Sequence, residues 1–278
     1  MNCRNIIEFD NDNFNQILHG FAGYRKCFGL LTANMCHLPI VKYGFIVIDA
    51  IDEIVCPYLR GKYGDTIMCR TDAPFNAWRS IPRGRDIKIN DLQDHYIKMR
   101  NAITSKIVML CFQHPSVYFT GKFVDRWAIS GAANILIIWG KEIVIEYVGR
   151  GFDVGDLTRG VNLPHQRFSV PWTVRNMDYY TIWDKMNIDT ITVDAYNGSR
   201  ESRIGVMKNM GYEYLEVVSN IPTVFSLLEF NKFRVLYQNC IKPVLHKRKL
   251  FLEDEIITIL VNIYKNAFHV FEIWDSYN

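Results

Sequence analysis

The sequence predicts an α+β protein with two lobes. Its 278 residues, 49% of them apolar, are enough for two lobes that each bury a sizeable core. Short runs of β-branched and aromatic residues, typical of buried strands, are interspersed with segments of helical periodicity. Two apolar runs, Asn134 to Trp139 and Glu142 to Val148, flank Gly140-Lys141, a spacing that favours an antiparallel hairpin.

The first predicted elements are a helix, a turn and a strand. The helix begins near Tyr24 and ends before Leu38-Pro39, because proline lacks a backbone donor and restricts the residue before it. The β-branched and aromatic stretch from Gly44 to Ala50 predicts a buried strand, and Thr66 to Arg70 predicts another.

An amphipathic helix and a central strand are predicted next. The helix starts from an Asn90 cap and runs to Ile103, and the apolar run Ile107 to Phe112 follows it as a strand. The apolar residues that recur at helical spacing are Leu92, Tyr96, Met99 and Ile103.

The second lobe is predicted to contain a small additional segment. Composition changes after Pro171, and the stretch near 176–214 is predicted to be an inserted α/β segment with an extended part at Thr190 to Asp194. We therefore expect one lobe at residues 1–120 and the other at 121–278.

Three elements are predicted in the C-terminal tail. Phe225 to Ile241 and Glu253 to Tyr264 are predicted to be helices, and Phe268 to Trp274 is predicted to be extended.

Charge and cysteine content narrow the functional classes. The net charge is +3, from 32 basic and 29 acidic residues, so no strong positive field indicates a nucleic-acid or membrane partner. The seven cysteines form no Cys-x-x-Cys pair, which favours buried or free thiols in a reducing cytoplasm. The N-terminal region carries Asp10 and Asp12 and lacks a basic segment followed by an apolar one, so we expect no secretory signal there. No uncharged apolar run reaches about 18 residues, so we expect no membrane-spanning helix.

Several cationic side chains are suitable for binding phosphate groups. Lys26 precedes a helix, and Arg70 ends a strand, where a buried guanidinium needs a partner. A loop rich in guanidinium groups follows, and its residues are Arg79, Pro82, Arg83, Gly84 and Arg85. Such a loop suits a phosphate or carboxylate ligand.

These segments resemble the nucleotide-binding domain of the phosphoenolpyruvate synthase and pyruvate phosphate dikinase group, which has the ATP-grasp fold. The N-terminal matching segments are Gly23 and Lys26, Leu38-Pro39-Ile40, Gly44-Phe45-Ile46 and Arg70-Thr71-Asp72. The later ones are Val108 to Gln113, Glu146 to Asp153, Arg159-Gly160 with Pro164, and Phe271-Glu272-Ile273-Trp274. In this sequence Thr71-Asp72 stands where the family has two small hydroxyl residues.

The resemblance implies a two-lobed ATP-grasp-like fold that uses ATP and Mg²⁺, with the nucleotide between the lobes. Lys26 and Arg70 are then expected to contact phosphates, and Glu146 and Glu272 to hold magnesium. The set expected to bind the cofactor is Lys26, Arg70, Arg83, Arg85, Gln113 and Glu146, and the catalytic set is Arg70, Arg159 and Glu272.

Three functional classes stay open from the sequence. The first is an ATP-dependent phosphotransferase or ligase acting on a small-molecule or protein-borne acceptor, with a possible partner protein. The second is a catalytically degenerate nucleotide-binding or sensing module. The third is a nucleic-acid-binding protein that uses the arginines around Gly84 and the run His246 to Lys249, which few aromatic residues accompany.

The residues themselves also permit plainer interpretations. Lys26 could be a solvated helix residue, and Arg70 could form an ion pair with Asp72 or Asp86. Glu146 and Glu272 alternate with apolar neighbours, so each could point to solvent instead of a ligand.

Overall fold

The computed structural model describes two compact units, each built around its own antiparallel sheet. Unit 1 comprises Met1–Met35 and Ile40–Phe123, and unit 2 comprises Cys36–Pro39 and Val124–Asn278. The chain is therefore a mixed α+β protein, as the sequence predicts. The described residues are 5–74, 86–123, 129–139, 142–152, 154, 157, 166–171, 192–193, 235–251, 256–264 and 267–275.

Unit 1 contains a five-stranded sheet. Its strands are β1 (Ile6–Phe9), β2 (Gly44–Val47), β3 (Thr66–Asp72), β4 (Asp86–Lys88) and β5 (Val108–Gln113). They lie in the order β1-β2-β5-β3-β4, and every neighbouring pair is antiparallel. The predicted central strand is confirmed, because β5 occupies the middle of the sheet and its apolar residues are buried between β2 and β3.

Five helices accompany this sheet in the described part of unit 1. They are α1 (Phe14–His19), α2 (Arg25–Met35), α3 (Cys56–Tyr63), α4 (Leu92–Ala102) and α5 (Pro115–Thr120). The start of α2 directly after Tyr24 and its end before Leu38 confirm the first predicted helix. One face of the sheet is covered by apolar residues of α3 and α4, including Leu59, Tyr63 and Leu92.

The predicted Asn90 cap is wrong. The N-cap of α4 is Asp91, and a 3₁₀ turn at Ile89–Asp91 precedes the helix. The side-chain oxygen of Asn90 instead accepts a hydrogen bond from the guanidinium of Arg60. A cap side chain must accept from the first turn of its own helix, and the nearby arginine takes that oxygen.

Gly44 allows a close approach of β2 to β5, and its replacement by alanine is expected to destabilise the protein. A Cβ atom at this position would lie 2.1 Å from the carbonyl oxygen of Cys111 and 3.0 Å from Cζ of Phe9. Because a backbone atom cannot move aside cheaply, we expect Gly44→Ala to lower the free energy of unfolding by about 2–3 kcal/mol in chemical denaturation.

A matched control is available in the same unit. A Cβ atom at Gly61, inside α3, would meet nothing within 4 Å. Gly61→Ala is therefore expected to raise the stability by about 0.5–1 kcal/mol, because alanine is the better helix former. Equal effects of the two substitutions would contradict the close approach at Gly44.

Unit 2 contains a six-stranded sheet. Its strands are β6 (Gly131–Ile138), β7 (Glu142–Val148), β8 (Gln166–Pro171), β9 (Thr192–Val193), β10 (Ile256–Tyr264) and β11 (Ala267–Asp275). The order is β11-β10-β6-β7-β8-β9, with antiparallel neighbours throughout. The predicted antiparallel pairing of β6 with β7 is confirmed, and β11 and β9 lie where extended segments were predicted.

The helix predicted over Glu253 to Tyr264 is wrong, because residues 256–264 form β10. All nine residues of β10 are buried, and the strand lies between β6 and β11. A strand that is buried on both faces shows no polar alternation, so periodicity does not separate it from a buried helix. Its many β-branched residues favour the strand.

A helical segment precedes β10 in unit 2. A π-helical stretch at Tyr237–Ile241 leads into α6 (Lys242–His246), so the described end of the helix predicted over Phe225 to Ile241 is helical and continues past Ile241. Residues 225–234 of that prediction lie outside the described residues. Within the described part of the chain, no helix is both long and apolar enough to span a bilayer. Apart from residues 192–193, the predicted segment near 176–214 lies outside the described residues.

The cysteine prediction is confirmed for the thiols that the structure describes. Six cysteines are free and buried, and their numbers are 27, 36, 56, 69, 111 and 240. Cys69 and Cys111 lie opposite each other on β3 and β5, with their sulfur atoms 3.2 Å apart. Burial raises the pKa of the Cys111 thiol well above its ordinary value, which keeps this thiol protonated and unreactive.

Candidate functional site

In unit 1, the first turn of α2 lies against the end of β3. The ammonium group of Lys26 donates a hydrogen bond to the carbonyl oxygen of Thr71. The backbone N–H of Cys27 donates to Oδ2 of Asp72 over 2.9 Å. The first N–H groups of a helix have no partner inside the helix, so Asp72 supplies the acceptor that α2 lacks.

This contact region is deeply buried although it is charged. The exposed fractions are 6% for Lys26, 3% for Arg70 and 0% for Asp72. Burial raises the pKa of the Asp72 carboxyl above its ordinary value, while the charge of Lys26 and the hydrogen bond from Cys27 act in the opposite direction. The second carboxyl oxygen of Asp72 accepts the backbone N–H of Ala73 over 2.9 Å.

The electrostatics of Cys27 indicate that both predicted cations lie near its sulfur. Burial and the neighbouring Asp72 raise the pKa of the Cys27 thiol, whereas Arg70 and Lys26 act to lower it. The hydrogen bond from Lys26 to Thr71 places Lys26 beside the residue that follows Arg70 in β3, although Lys26 and Arg70 are far apart in the sequence. We call Lys26, Arg70 and Asp72 the charged cluster.

Among the described residues of unit 1, the other predicted cofactor ligand is Gln113, and it lies away from the charged cluster. Gln113 pairs with Ile67 at the opposite end of β3 from Asp72, and the register separates it from the level of Arg70 by three residues, about 10 Å. Arg83, Arg85 and Arg159 lie outside the described residues.

In unit 2, polar side chains cross one face of the sheet. Glu146 on β7 is paired with Asn134 on β6, and Leu260 on β10 is paired with both Asn134 and Glu272 of β11. Residues that are paired across antiparallel strands point to the same face, as do residues two positions along a strand. Thr258 shares this face and is diagonal to both Asn134 and Glu272. We call Glu146, Asn134, Thr258 and Glu272 the polar band.

The polar band is buried between apolar clusters. Asn134 donates from Nδ2 to Oε2 of Glu146 over 2.8 Å, and both carboxylates of the band are at most 7% exposed. One apolar cluster on this face contains Leu136, Ile138, Val144 and Ile256. The other contains Ala132, Val148, Val154, Leu157 and Leu260.

The two carboxylates predicted to bind magnesium lie at the two ends of the polar band. Glu146 and Glu272 occupy one transverse row of the sheet, three strand spacings apart, which corresponds to about 14 Å between their backbones. In the described part of the chain, no three histidine, cysteine, aspartate or glutamate side chains come together as a metal-binding group. The side chains between the two carboxylates in this row are those of Asn134 and Leu260.

Sequence reasoning missed Asn134 and Thr258. Asn134 is the single polar residue in the apolar strand β6, and Thr258 lies in the apolar strand β10. A polar residue in the middle of an apolar strand is a signal that could have identified both, because burying an unpaired polar group is costly.

A second polar group lies around His114 in unit 1, and it contains none of the predicted site residues. Its Nδ1 lies 2.7 Å from the hydroxyl oxygen of Ser116, and its Nε2 lies 3.3 Å from Asp86. This order resembles a serine, histidine and aspartate triad, but Ser116 is 0% exposed and its backbone N–H also donates to His114. The arrangement caps α5 and leaves no hydroxyl accessible to a substrate.

No family model matches the chain, and no curated protein matches its sequence.

Proposed function

We propose that the chain binds ATP with Mg²⁺ and acts as an ATP-dependent phosphotransferase or ligase of the ATP-grasp type, on a small-molecule or protein-borne acceptor. The single observation that carries the proposal is that the buried ammonium of Lys26 bonds to the carbonyl oxygen of Thr71, the residue after Arg70 in β3. The resemblance of the sequence to the phosphoenolpyruvate synthase group assigns both residues to the nucleotide phosphates.

The proposed chemistry assigns a different task to each unit. In unit 1, the ammonium of Lys26 and the guanidinium of Arg70 bind phosphate oxygens, which accept charge-assisted hydrogen bonds from both. In unit 2, Glu146 and Glu272 would each offer a carboxylate oxygen to magnesium, from opposite ends of the polar band. Bound magnesium would supply positive charge that offsets the phosphate charge during transfer of the γ-phosphoryl group.

Calorimetric titration of the full chain with ATP, with and without magnesium, tests the proposal. We expect saturable binding in the micromolar range that weakens when magnesium is withheld. Incubation with ATP and magnesium, followed by chromatographic analysis of ADP, then measures turnover. No ATP binding under either condition would reject the proposed function.

A nucleotide-binding module without turnover is the second candidate. It is favoured by the separation of Glu146 and Glu272, which lie three strand spacings apart and not on neighbouring strands. ATP binding without ADP formation in the presence of candidate acceptors would favour this candidate over the enzyme. Binding to nucleic acid that weakens steeply with salt would instead favour a nucleic-acid-binding protein.

A further inference from the structure

We propose that the polar band of unit 2 binds a divalent cation through the side-chain oxygens of Asn134 and Thr258, between the carboxylates of Glu146 and Glu272. The proposal rests on the proposed function in taking the physiological ion to be magnesium. It adds two ligands that the family resemblance does not supply.

Two buried oxygen atoms of the band have unfilled bonding capacity. Among the described residues, Oδ1 of Asn134 and Oγ1 of Thr258 have no hydrogen-bond partner, and both residues are 1% exposed. Such groups are rare in folded proteins, because each one loses its contacts with water without replacement. Two of them on neighbouring strands of the same sheet face indicate a shared ligand.

The orientation of the Asn134 amide is fixed by its partner. The NH₂ group of Asn134 donates to Glu146, so Oδ1 is directed away from Glu146. The next polar side chain of the band on that side is Thr258, on β10. Neither the carbonyl oxygen of Asn134 nor the hydroxyl of Thr258 bonds to the other, so each has capacity for a further ligand.

The chemistry of the band suits a hard cation. Magnesium and calcium prefer carboxylate, carbonyl and hydroxyl oxygens, and the band offers all three types. A divalent ion at this position also places positive charge between Glu146 and Glu272, which are 5% and 7% exposed. Asn262, on the same face, is different because its Oδ1 accepts the backbone N–H of Val154 over 2.9 Å.

Manganese binding to the full chain without nucleotide tests the proposal. Free Mn²⁺ is followed by electron paramagnetic resonance, and we expect one saturable site from which Mg²⁺ displaces it. Thr258→Val removes the hydroxyl at nearly constant volume and is expected to weaken Mn²⁺ binding at least about 10-fold. Because that hydroxyl has no partner among the described residues, the melting temperature without metal is expected to stay equal or rise.

Thr71→Val is the matched control. Thr71 lies in unit 1, is 0% exposed, and its hydroxyl also has no hydrogen-bond partner among the described residues. This variant changes the same chemical group at the same degree of burial outside the polar band. Its Mn²⁺ affinity is expected to equal that of the unaltered protein.

A second variant tests the cation through stability instead of affinity. Asn134→Asp keeps an oxygen ligand but places a second carboxylate beside Glu146, so the melting temperature without metal is expected to fall. Mn²⁺ is then expected to raise the melting temperature of this variant more than that of the unaltered protein. An equal shift in both proteins would contradict a cation next to Asn134.

The outcomes separate this inference from the proposed function. Absence of saturable Mn²⁺ binding, or equal Mn²⁺ affinity of Thr258→Val and the unaltered protein, overturns the cation site and indicates water between the two oxygens. If ATP binding depends on Arg70 while Mn²⁺ affinity does not depend on Thr258, only the inference fails. If Mn²⁺ binds in a Thr258-dependent way but ATP does not bind, the site stands and the proposed function fails.

Discussion

Replacing Arg70 by alanine is expected to weaken ATP binding at least about 100-fold, because two charge-assisted hydrogen bonds to phosphate are lost. Arg70 is 3% exposed and lies at the end of β3, one residue before the carbonyl that Lys26 contacts. Because this side chain is buried, little conformational freedom is lost when it binds phosphate. Calorimetric titration with ATP and magnesium measures the effect.

The control for this prediction is Arg60→Ala. Arg60 lies on α3 in the same unit, its side chain is 43% exposed, and it forms an exposed ion pair with Asp65. The substitution removes the same charge from unit 1 and is expected to leave ATP affinity within about twofold. Arg70→Lys retains the charge but not the two-pronged geometry, and an intermediate affinity is expected. Unchanged affinity in Arg70→Ala, in a folded protein, would reject the assignment of Arg70 to the phosphates.

Replacing Asp72 by alanine is expected to lower the free energy of unfolding by about 3–5 kcal/mol. Asp72 is 0% exposed, and its carboxyl oxygens accept the backbone N–H groups of Cys27 and Ala73. Alanine would leave two buried donors without these acceptors and would remove the negative charge beside Lys26. Chemical denaturation followed by circular dichroism measures the loss.

Asp65→Ala provides the control at the other end of β3. The Asp65 side chain is 83% exposed and pairs with Arg60 over 3.3 Å, so its loss is expected to cost at most about 1 kcal/mol. A double variant of Asp72→Ala with Lys26→Met is expected to lose less stability than the sum of the single variants, because neither charge is then left alone. Strict additivity would show that Lys26 and Asp72 do not stabilise each other.

Arg70 and Asp72 lie two residues apart in β3, but we expect them to have different roles. Asp72 joins α2 to β3 through its hydrogen bond to Cys27, so its removal is expected to affect stability first. Arg70 is expected to affect ATP affinity first. The comparison of the two variants therefore separates the structural and the ligand-binding parts of the charged cluster.

Local residue patterns predicted the helices and strands that have distinct sequence signals. They failed for a strand that is buried on both faces, because such a strand shows no alternation of polar and apolar residues. The end of α2 and the pairing of β6 with β7 followed from proline, glycine and apolar runs. The strand β10 was predicted as a helix, because a run buried on both faces carries no polar alternation. Its identity depends on hydrogen bonds to β6 and β11.

The candidate sites were also predictable only in part. Residue type and position identified Lys26, Arg70, Glu146 and Glu272 as candidates. Their neighbours could not be predicted, because sheet register decides which residues lie side by side. Register brought Asn134 next to Glu146 and set Glu272 three strands away from it.

The sequence by itself determined the α+β class, most of the strands, the buried thiols and the cationic residues at the end of β3, since each depends on local composition and periodicity. Only the tertiary structure decided that Lys26 contacts the carbonyl of Thr71 and that Asn134 and Thr258 lie between two carboxylates. These contacts join residues far apart in the chain. Strand pairing and helix packing over the whole chain fix them, and no single segment of the sequence contains that information.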